Sequence, residues 1–462
     1  MRSLLLLLPA LLSAQNYDIV LRGGRVMDPE SSLDAVRYVG INGKKIAAIS
    51  MRSLRGKIEI DAGGLVVAPG FIDLHSHGQT PEAYGYKAMD GVTTALELEV
   101  GVSPVSEWYL AREGKSLIHF GASSGHIPAR MALMHDAGGL LPRDAAMNRP
   151  ATPEEQKAIQ SVVQKGLDEG ALGMGLGITY TPTASPDEVL DLFYLAAKFK
   201  RPIFVHMRAG NVIAALQEVI TDAAVAGVPL HVVHLNSAAT AKTPQALGMI
   251  EGARARGLDV TTEAYPYTAG MTEIASAAFN GWENQPPEYY SAFQWPATGE
   301  RLTRASFERY RKQGGFVAQF SNTEEMVRVA ISHPLVMIAS DGIIENGIGH
   351  PRAAGTYARV LGKYVREENA LSLMDAIRKA SLMPAQRLET MSPQMRQKGR
   401  LKVGADADIA VFDPAHVIDK ATYQNPAQYS EGFRYVLVEG TFVVRDGKLQ
   451  VGVAPGQGIR AR

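Results

Sequence analysis

Short apolar runs alternate along the middle of the chain with amphipathic stretches of helical period. Eight runs predict strands: LVVAPGFIDLH, TTALELEV, SLIHFGASS, ALGMGLGITY, PIFVHM, LHVVHLN, DVTTEAYPY and VMIASDG. Helical patterns separate many of them, over residues 152–168, 187–199, 211–226, 243–256 and 323–332. Eight strand–helix units of this size predict an α/β chain folded as a (β/α)8 barrel, whose active site lies at the carboxyl ends of the strands.

Both ends of the chain show a different pattern, in which short β-type runs are separated by turns. Because a lone hairpin is marginally stable in water, we expect residues 15–64 and 398–452 to join in one small β-sandwich domain. The barrel then takes residues 65–397. Within it, residues 268–318 are rich in aromatics, Pro and Gly, which predicts a long lid or substrate loop. Residues 453–462 are expected to form a mobile tail.

Composition narrows the classes of partner. The 462 residues carry no net formal charge, which argues against an electrostatic nucleic-acid or anionic-membrane binder. The chain has no cysteine, so thiolate ligands and disulfides are excluded. Residues 1–14, MRSLLLLLPALLSA, have the pattern of a secretory signal peptide. We therefore expect a periplasmic or secreted protein that is free of the membrane after cleavage, and a homo-oligomer is compatible with the sequence.

Residues of the types that bind metals recur at the ends of the predicted strands. His75 and His77 lie two residues apart after the first strand, so on a strand their side chains share one face. Alone, such a pair is equally well explained as incidental polarity at a strand end. Other strand ends carry Glu97, Glu99, His206, His234 and Asp341. Buried carboxylates are costly unless they are paired or bind a metal, so the set together predicts a metal site at the barrel mouth.

The order of these residues resembles that of the amidohydrolase superfamily, with HxH after strand one, histidines after strands five and six, and aspartate after strand eight. The segments GALGMGLGITYTP, FVHMRAG, EAYPYTAG and SDGIIENGIGHPRAAGTYARVLG resemble those of the N-acyl-D-amino-acid deacylases, the D-aminoacylase and N-acyl-D-glutamate deacylase group. The resemblance implies a TIM-like metal-dependent hydrolase barrel with a small β-sandwich domain formed by both termini.

The resemblance also implies a centre of one or two metal ions, with Zn²⁺ as the best match and other divalent metals as alternatives. One position would be formed by His75, His77 and Asp341, and the second by His206 and His234. The deacylases typically bridge the two positions with a cysteine, which this chain lacks. Glu99 is the expected substitute because it lies nearer the carboxyl end of the strand. Glu97 is the less favoured alternative. Either carboxylate could instead hydrogen-bond to a metal-bound histidine.

Four further residues are implied to bind the substrate, a small molecule that carries a carboxylate: Tyr180, Arg208, Tyr267 and Arg352. Arginine suits two-point binding of a carboxylate. The alternative is that these arginines brace loops through ion pairs. The deacylases commonly have a lysine two residues after the strand-six histidine, whereas this chain has Asn236, a departure that bears on the substrate.

The expected activity is hydrolysis of a non-peptide C–N amide bond, with an N-acyl-D-amino acid as the substrate. Asp341 would accept a proton from metal-activated water and return it to the leaving amine. One alternative is another reaction of the superfamily, such as hydrolysis of a cyclic amide, a dipeptide or a lactone. The other is a metal-free barrel that binds a ligand without catalysis.

Overall fold

The structure is a computed structural model that describes residues 16–462. The predicted signal peptide, residues 1–14, lies outside the described residues. Over residues 16–462, no helix combines the length and the apolar character needed to cross a membrane.

Eight parallel strands, paired in chain order, build the predicted barrel. They are β1 (Phe71–Asp73), β2 (Val92–Val102), β3 (His119–Gly125), β4 (Met174–Gly177), β5 (Ile203–His206), β6 (Leu230–Val232), β7 (Val260–Ala264) and β8 (Val336–Ile338). The chain just past β8 meets the chain just past β1, where the backbone N–H of Asp341 donates to the carbonyl of His75 over 2.7 Å. The (β/α)8 prediction is confirmed.

Helices fill the connections between the strands. The α-helices are Pro81–Met89, Val105–Leu110, His126–Leu133, Ala145–Asn148, Pro153–Asp168, Pro186–Phe199, Val212–Ala226, Leu235–Ala239, Thr243–Ala255, Pro287–Ser291, Arg304–Gln313, Glu324–Ser332, Arg352–Arg359, Leu373–Ile377 and Met383–Leu388. Wider π-helical turns follow at Val360–Glu367 and Arg378–Leu382, and 3₁₀ turns lie at Thr240–Lys242, Ala277–Phe279, Trp282–Asn284 and Pro393–Gln397. All five helices predicted from periodicity form, and their ends differ from the prediction by at most one residue.

One continuous nine-stranded sheet joins the two ends of the described chain. Its strands are Asn16–Asp28, Leu33–Asn42, Lys45–Ser50, Arg55–Asp61, Val66–Pro69, Ile409–Phe412, Phe433–Val438, Thr441–Arg445 and Lys448–Leu449. Apolar side chains from both parts of the sequence share one core, with Ile19 and Val39 packed in the same cluster as Ile409 and Leu437. The sheet therefore depends on pairing between segments more than 300 residues apart in the sequence.

The predicted start of the barrel at residue 65 needs a correction. Val66–Pro69 pairs with Ile409–Phe412 in the small sheet, and the barrel strand β1 begins only after Gly70. The apolar run is interrupted there because the backbone of Gly70 passes close to Thr93. A Cβ atom at residue 70 would lie 2.3 Å from the Thr93 side chain, so only glycine fits this crossing between the two sheets.

Residues 268–318, expected to form a loop, are mostly regular. They form a four-stranded antiparallel sheet with strands Ala269–Glu273, Phe293–Trp295, Glu300–Arg301 and Phe316–Phe320. Farther along the chain, Ile344–Glu345 pairs with Ile348–Gly349 in a separate two-stranded sheet. An aromatic cluster that includes Phe279, Phe293 and Phe307 is the core of this insertion. Because the insertion has its own hydrophobic core, it can form a rigid surface beside the barrel.

The prediction that residues 453–462 form a mobile tail is wrong. The backbone N–H of Ile459 donates to the carbonyl of Phe120 in β3 over 2.7 Å, and the hydroxyl of Tyr109 donates to the carbonyl of Ile459 over 2.6 Å. The Ile459 side chain is fully buried and packs with Leu96 and Phe204 in the cluster that fills the barrel. The segment closes the barrel core, although its Gly- and Pro-rich composition is typical of tails.

We expect Ile459→Ala to destabilise the fold, because it leaves a cavity where the chain closes the barrel core. A large-to-small change at a fully buried aliphatic site costs about 2–5 kcal/mol in the free energy of unfolding. Val451→Ala is the matched control, since Val451 is 90% exposed. Denaturant unfolding of both variants checks this, and equal midpoints for Ile459→Ala and the parent chain would contradict the assignment.

Candidate metal centre and active site

The seam of the barrel is the line along which the chain past β8 meets the chain past β1. Three side chains from these two segments meet there at one point. His75 and His77 follow β1, and their Nε2 atoms are 3.0 Å apart. Oδ1 of Asp341, which follows β8, lies 3.4 Å from each of these two nitrogens. Asp341 lies more than 260 positions after the two histidines in the sequence, yet the closure of the barrel brings the three ligand atoms together.

Glu99 on β2 lies between this group and the histidines of β5 and β6. Its Oε2 atom is 3.3 Å from Nε2 of both His75 and His77. Its Oε1 atom is 2.8 Å from Nδ1 of His206 and 3.6 Å from Nε2 of His234. One carboxylate thus faces two sets of imidazoles with its two oxygens, which is the geometry of a bridge between two metal positions.

Two other carboxylates hold the ring orientation of the first histidine pair. Nδ1 of His75 lies 2.6 Å from Oε1 of Glu263 on β7, and Nδ1 of His77 lies 2.8 Å from Oε2 of Glu97. Each Nδ1–H is therefore used in a hydrogen bond, which leaves each Nε2 directed to the shared point. The structure puts Glu97 outside the ligand group and Glu99 within it.

Two of the converging residues have left-handed backbone, which is uncommon outside glycine. His234 has φ of 32° and Asp341 has φ of 50°. Each follows the last strand residue by only two or three positions, so the chain turns sharply at the end of β6 and of β8. Such conformations cost of order 1–3 kcal/mol and persist only where the surroundings fix them, often at functional sites.

The carboxylates give the site a strong negative potential. Burial opposes protonation of His75, but the charges of Asp341 and Glu263 outweigh it and raise the pKa of His75 to about 10. The pKa of His77 also rises, against burial, because Glu97 and Asp341 face it. Burial would raise the pKa of Asp341, but the neighbouring guanidinium of Arg352 holds it well below its usual range, so Asp341 is ionised at neutral pH.

The donor set fits divalent cations. Among the described residues, four carboxylates surround the point: Glu97, Glu99 and Glu263 are buried, and Asp341 is partly buried. The guanidinium of Arg352 lies 2.9 Å from Oδ2 of Asp341 and contributes one positive charge. Ligand atoms of His75, His77 and Asp341 lie within 4.8 Å of one another, as do those of His75, Glu99 and His234. Imidazole and carboxylate donors without thiolates suit Zn²⁺ and similar ions, which would replace the histidine protons as the balancing charge.

A cavity of about 190 Å³ opens beside these residues. Its wall includes His206, His234 and Asp341 on the metal side. Met271 and Gln319 come from the insertion after β7, so the barrel and the insertion share the cavity. A small molecule in this space would lie against the predicted ligands.

Comparison with known proteins agrees with this geometry. The sequence profile of the amidohydrolase family matches residues 59–444. The chain belongs to the amidohydrolase family. N-acyl-D-glutamate deacylase of Alcaligenes xylosoxydans xylosoxydans is 30% identical over 93% of this chain and 94% of its own length.

Solved amidohydrolase structures superpose on most of the chain. N-acyl-D-glutamate deacylase from Bordetella bronchiseptica, in complex with zinc and a phosphonate mimic of the tetrahedral intermediate, has a TM-score of 0.82 and 26% identity and covers 97% of this chain and 100% of its own. A D-aminoacylase with a binuclear metal centre, described by one-metal activation and second-metal attenuation, has a TM-score of 0.81 and 25% identity over 96% and 100%. The resemblance to this group is confirmed.

Two of the residues predicted to bind substrate are well placed in this amidohydrolase. The ring of Tyr180 lies 4.8 Å from that of His206 at the cavity wall, and its hydroxyl accepts a hydrogen bond from Thr272 over 3.2 Å. Arg352 is buried against Asp341, and its guanidinium lies over the ring of Tyr265 at 4.4 Å. Both can contact a molecule held at the predicted ligands.

The other two predicted substrate residues are engaged elsewhere. Arg208 lines the cavity, but its guanidinium is paired with Glu218 at 2.8 Å and donates to the carbonyls of Pro182 and Ala184, which matches the loop-brace alternative. Tyr267 is buried beneath Arg359, and its hydroxyl lies 3.4 Å from Asp419, outside the cavity. The prediction for Tyr267 is corrected, because the chain turns after β7 and takes this ring away from the cavity. Arg208 does line the cavity, with its charge already matched by Glu218.

Sequence reasoning missed Tyr265 and Glu263. Tyr265, the first tyrosine of the YPY run, lines the cavity in place of Tyr267. Glu263 could have been found, because a carboxylate on an otherwise apolar strand calls for a partner. His231 on β6 contacts Glu263 from within the barrel: its Nε2 lies 3.1 Å from Glu263, and its ring lies 5.3 Å from that of Phe204 in the barrel core.

We expect Glu99→Gln to lower the number of divalent ions bound per chain, because it removes the charge that faces both sets of histidines. Glu97→Gln is the matched control on the same strand, and it should only weaken affinity, by about 10- to 100-fold, since Glu97 contacts the outer nitrogen of His77. Metal analysis after loading and gel filtration checks both. Unchanged stoichiometry in Glu99→Gln would rule out the bridging position.

Proposed function

We propose that this protein hydrolyses the amide bond of N-acyl-D-amino acids at a centre of one or two divalent ions. The observation that carries the proposal is Glu99, which faces His75 and His77 with one oxygen and His206 and His234 with the other. That arrangement opens onto a cavity of small-molecule size. The deacylase relatives supply the substrate class.

Zinc is the metal that we propose, since a deacylase relative binds zinc and the donors here are imidazoles and carboxylates. His75, His77 and Asp341 would hold one ion, His206 and His234 would hold the other, and Glu99 would join them. A divalent ion bound there lowers the pKa of water toward about 7 and polarises a carbonyl group. Activation by a single ion, as described for a D-aminoacylase, is compatible with these two half-sites.

Asp341 has the features required of the proton carrier. It lines the cavity, and the guanidinium of Arg352 keeps its pKa below the usual range, so it is an acceptor at neutral pH. It takes a proton from the attacking water and then donates that proton to the departing amine nitrogen, which leaves as the free amino acid. The left-handed backbone at residue 341 and its bond to the carbonyl of His75 fix this position.

Arg352 supplies the charge that recognises the substrate carboxylate. It is 1% exposed, and its Nη2 group donates to the carbonyl of Met271 over 3.2 Å, which fixes the guanidinium in a small pocket of about 20 Å³ that Glu99 and Asp341 also line. Part of this charge balances Asp341. Within residues 16–462, Nε of Arg352 has no hydrogen-bond partner, so a substrate carboxylate would accept from a donor that neither Met271 nor Asp341 uses.

The cavity favours a neutral amino-acid side chain over an acidic one. The lining includes the apolar residues Met207, Val212 and Ala238. The charge of Arg208, which also lines it, is matched by Glu218. Asn236 lies where the deacylases commonly have a lysine, and its amide donates to the backbone carbonyl of Tyr265. An acidic side chain would therefore be buried without a counter-ion, which is costly.

Because residues 1–14 have the pattern of a signal peptide, we propose that the reaction takes place outside the cytoplasm.

Side-by-side assays of zinc-loaded enzyme on N-acetyl-D-methionine, N-acetyl-L-methionine and N-acetyl-D-glutamate test the substrate. We expect the D-methionine derivative to be hydrolysed fastest, with kcat/KM for the acidic substrate at least tenfold lower. Chelator-treated enzyme is the control and should be inactive. Equal rates on the D and L forms, or faster hydrolysis of a cyclic amide such as dihydrouracil, would favour another reaction of the family.

Asp341→Asn tests the proton carrier with little change of shape. We expect kcat to fall by about 10²- to 10⁴-fold, the range for loss of a general acid–base group, while the protein remains folded. Metal content is measured in parallel, because residue 341 also faces the metal position. Near-normal kcat in a metal-loaded variant would contradict the role.

A further inference from the structure

A chain of hydrogen bonds runs from His75 into the interior of the barrel. Nδ1 of His75 lies 2.6 Å from Oε1 of Glu263, and Oε2 of Glu263 lies 3.1 Å from Nε2 of His231. Nδ1 of His231 lies 2.8 Å from the hydroxyl oxygen of Thr261. The chain crosses from the end of β1 to β7 and then to β6, beneath the proposed metal position.

The protonation of each member follows from its neighbours. An ionised carboxylate only accepts hydrogen bonds, so Glu263 requires an N–H from His75 on one oxygen and an N–H from His231 on the other. With its proton on Nε2, neutral His231 accepts at Nδ1 from the hydroxyl of Thr261, which lies nearer to this nitrogen, at 2.8 Å, than to its other acceptor, the carbonyl of Leu230 at 3.3 Å. The groups form a consistent series in which Nε2 of His75 is left to face Glu99 and Asp341.

Burial makes the arrangement rigid. Glu263 is 1% exposed, and His75 and His231 are fully buried, so a broken bond would leave a desolvated charge or donor without a partner. Glu97, which is also buried, contacts the outer nitrogen of His77 and has that imidazole as its side-chain partner. Glu263 is thus held at both of its oxygens, whereas Glu97 is held by one histidine.

We propose that Glu263 is a positioning residue, which, anchored by His231 and Thr261, fixes the ring of His75 for metal binding from inside the barrel. The proposal rests on the proposed function, since it takes His75 as a ligand. The carboxylate holds Nδ1–H of His75, so Nε2 presents its lone pair in one direction and with increased basicity. Such partners of metal-bound histidines typically change metal affinity by about 10- to 100-fold.

Zinc affinity of the full-length protein, measured by competition with a chromophoric chelator, is the first test. We expect Glu263→Gln to bind zinc about 10- to 100-fold more weakly than the parent, and Glu263→Asp to recover part of the loss because it restores the charge. Glu188→Gln is the matched control: Glu188 is equally buried and lies 2.9 Å from His126, in a histidine pair outside the ligand group. It should keep the parent affinity.

Thr261→Val provides a second, nearly isosteric variant that leaves every charge in place. It removes the hydroxyl that anchors His231, and we expect a several-fold loss of zinc affinity in a folded protein. Unchanged affinity in both Thr261→Val and Glu263→Gln would overturn the proposal. So would an equal loss in Glu188→Gln, because the effect would then be general destabilisation.

A spectroscopic readout separates this proposal from the proposed function. A short hydrogen bond to a carboxylate gives the Nδ1–H proton of His75 a downfield, slowly exchanging NMR signal, which we expect in the parent and Glu188→Gln proteins but not in Glu263→Gln. The measurement works on metal-free protein. If the parent bound no zinc, the proposed hydrolase would fail, whereas the signal would still report whether Glu263 fixes the ring; persistence of the signal in Glu263→Gln would overturn the positioning role.

Discussion

The mouth of the barrel concentrates negative charge in a place that water reaches poorly, and this constraint shapes the site. Glu97, Glu99, Glu263 and Asp341 are all buried or nearly so, and buried anions are tolerated only with a partner. Arg352 matches one of them. The raised pKa values of His75 and His77 show how the remainder is balanced when protons are the available cations. A divalent ion supplies the same charge at one point, so the site is built to exchange protons for metal.

The seam that closes the barrel also builds the site. Asp73 at the end of β1 contacts Lys87 at 2.8 Å and the hydroxyl of Ser340 at 2.6 Å, and all three residues are buried. Asp341 directly follows Ser340, and His75 lies two residues after Asp73; the backbone N–H of Asp341 donates to the carbonyl of His75. The ion pair of Lys87 with Asp73 has no net charge, so it adds nothing to the excess of negative charge at the barrel mouth. Fold closure and the placement of His75 and Asp341 therefore depend on the same contacts.

Periodicity predicted the strands, the helices and the convergence of the ligand residues, because these depend on local pattern and on barrel topology. What failed depended on contacts between distant segments. Ile459 has no apolar run around it, and its burial follows from hydrogen bonds to Phe120 and Tyr109. Tyr265 and Tyr267 exchange roles because the chain leaves the strand after residue 264. The contact of Arg208 with Glu218 links a strand end to the following helix, a pairing that the sequence allowed but did not distinguish from substrate binding.

The absence of cysteine makes the bridging residue informative. The resemblance to the deacylases implies a bridge by one sulfur atom, through which both positions would share a single donor. A carboxylate instead offers one oxygen to each side, and the two oxygens of Glu99 already face different histidine pairs. Two ions held on either side of Glu99 would be linked through its carboxylate group rather than through one shared sulfur atom, so each would be bound or released with less effect on the other. A donor set of nitrogen and oxygen also lacks the preference of thiolate for soft metals, so this centre should accept a wider range of divalent ions than a thiolate-bridged one.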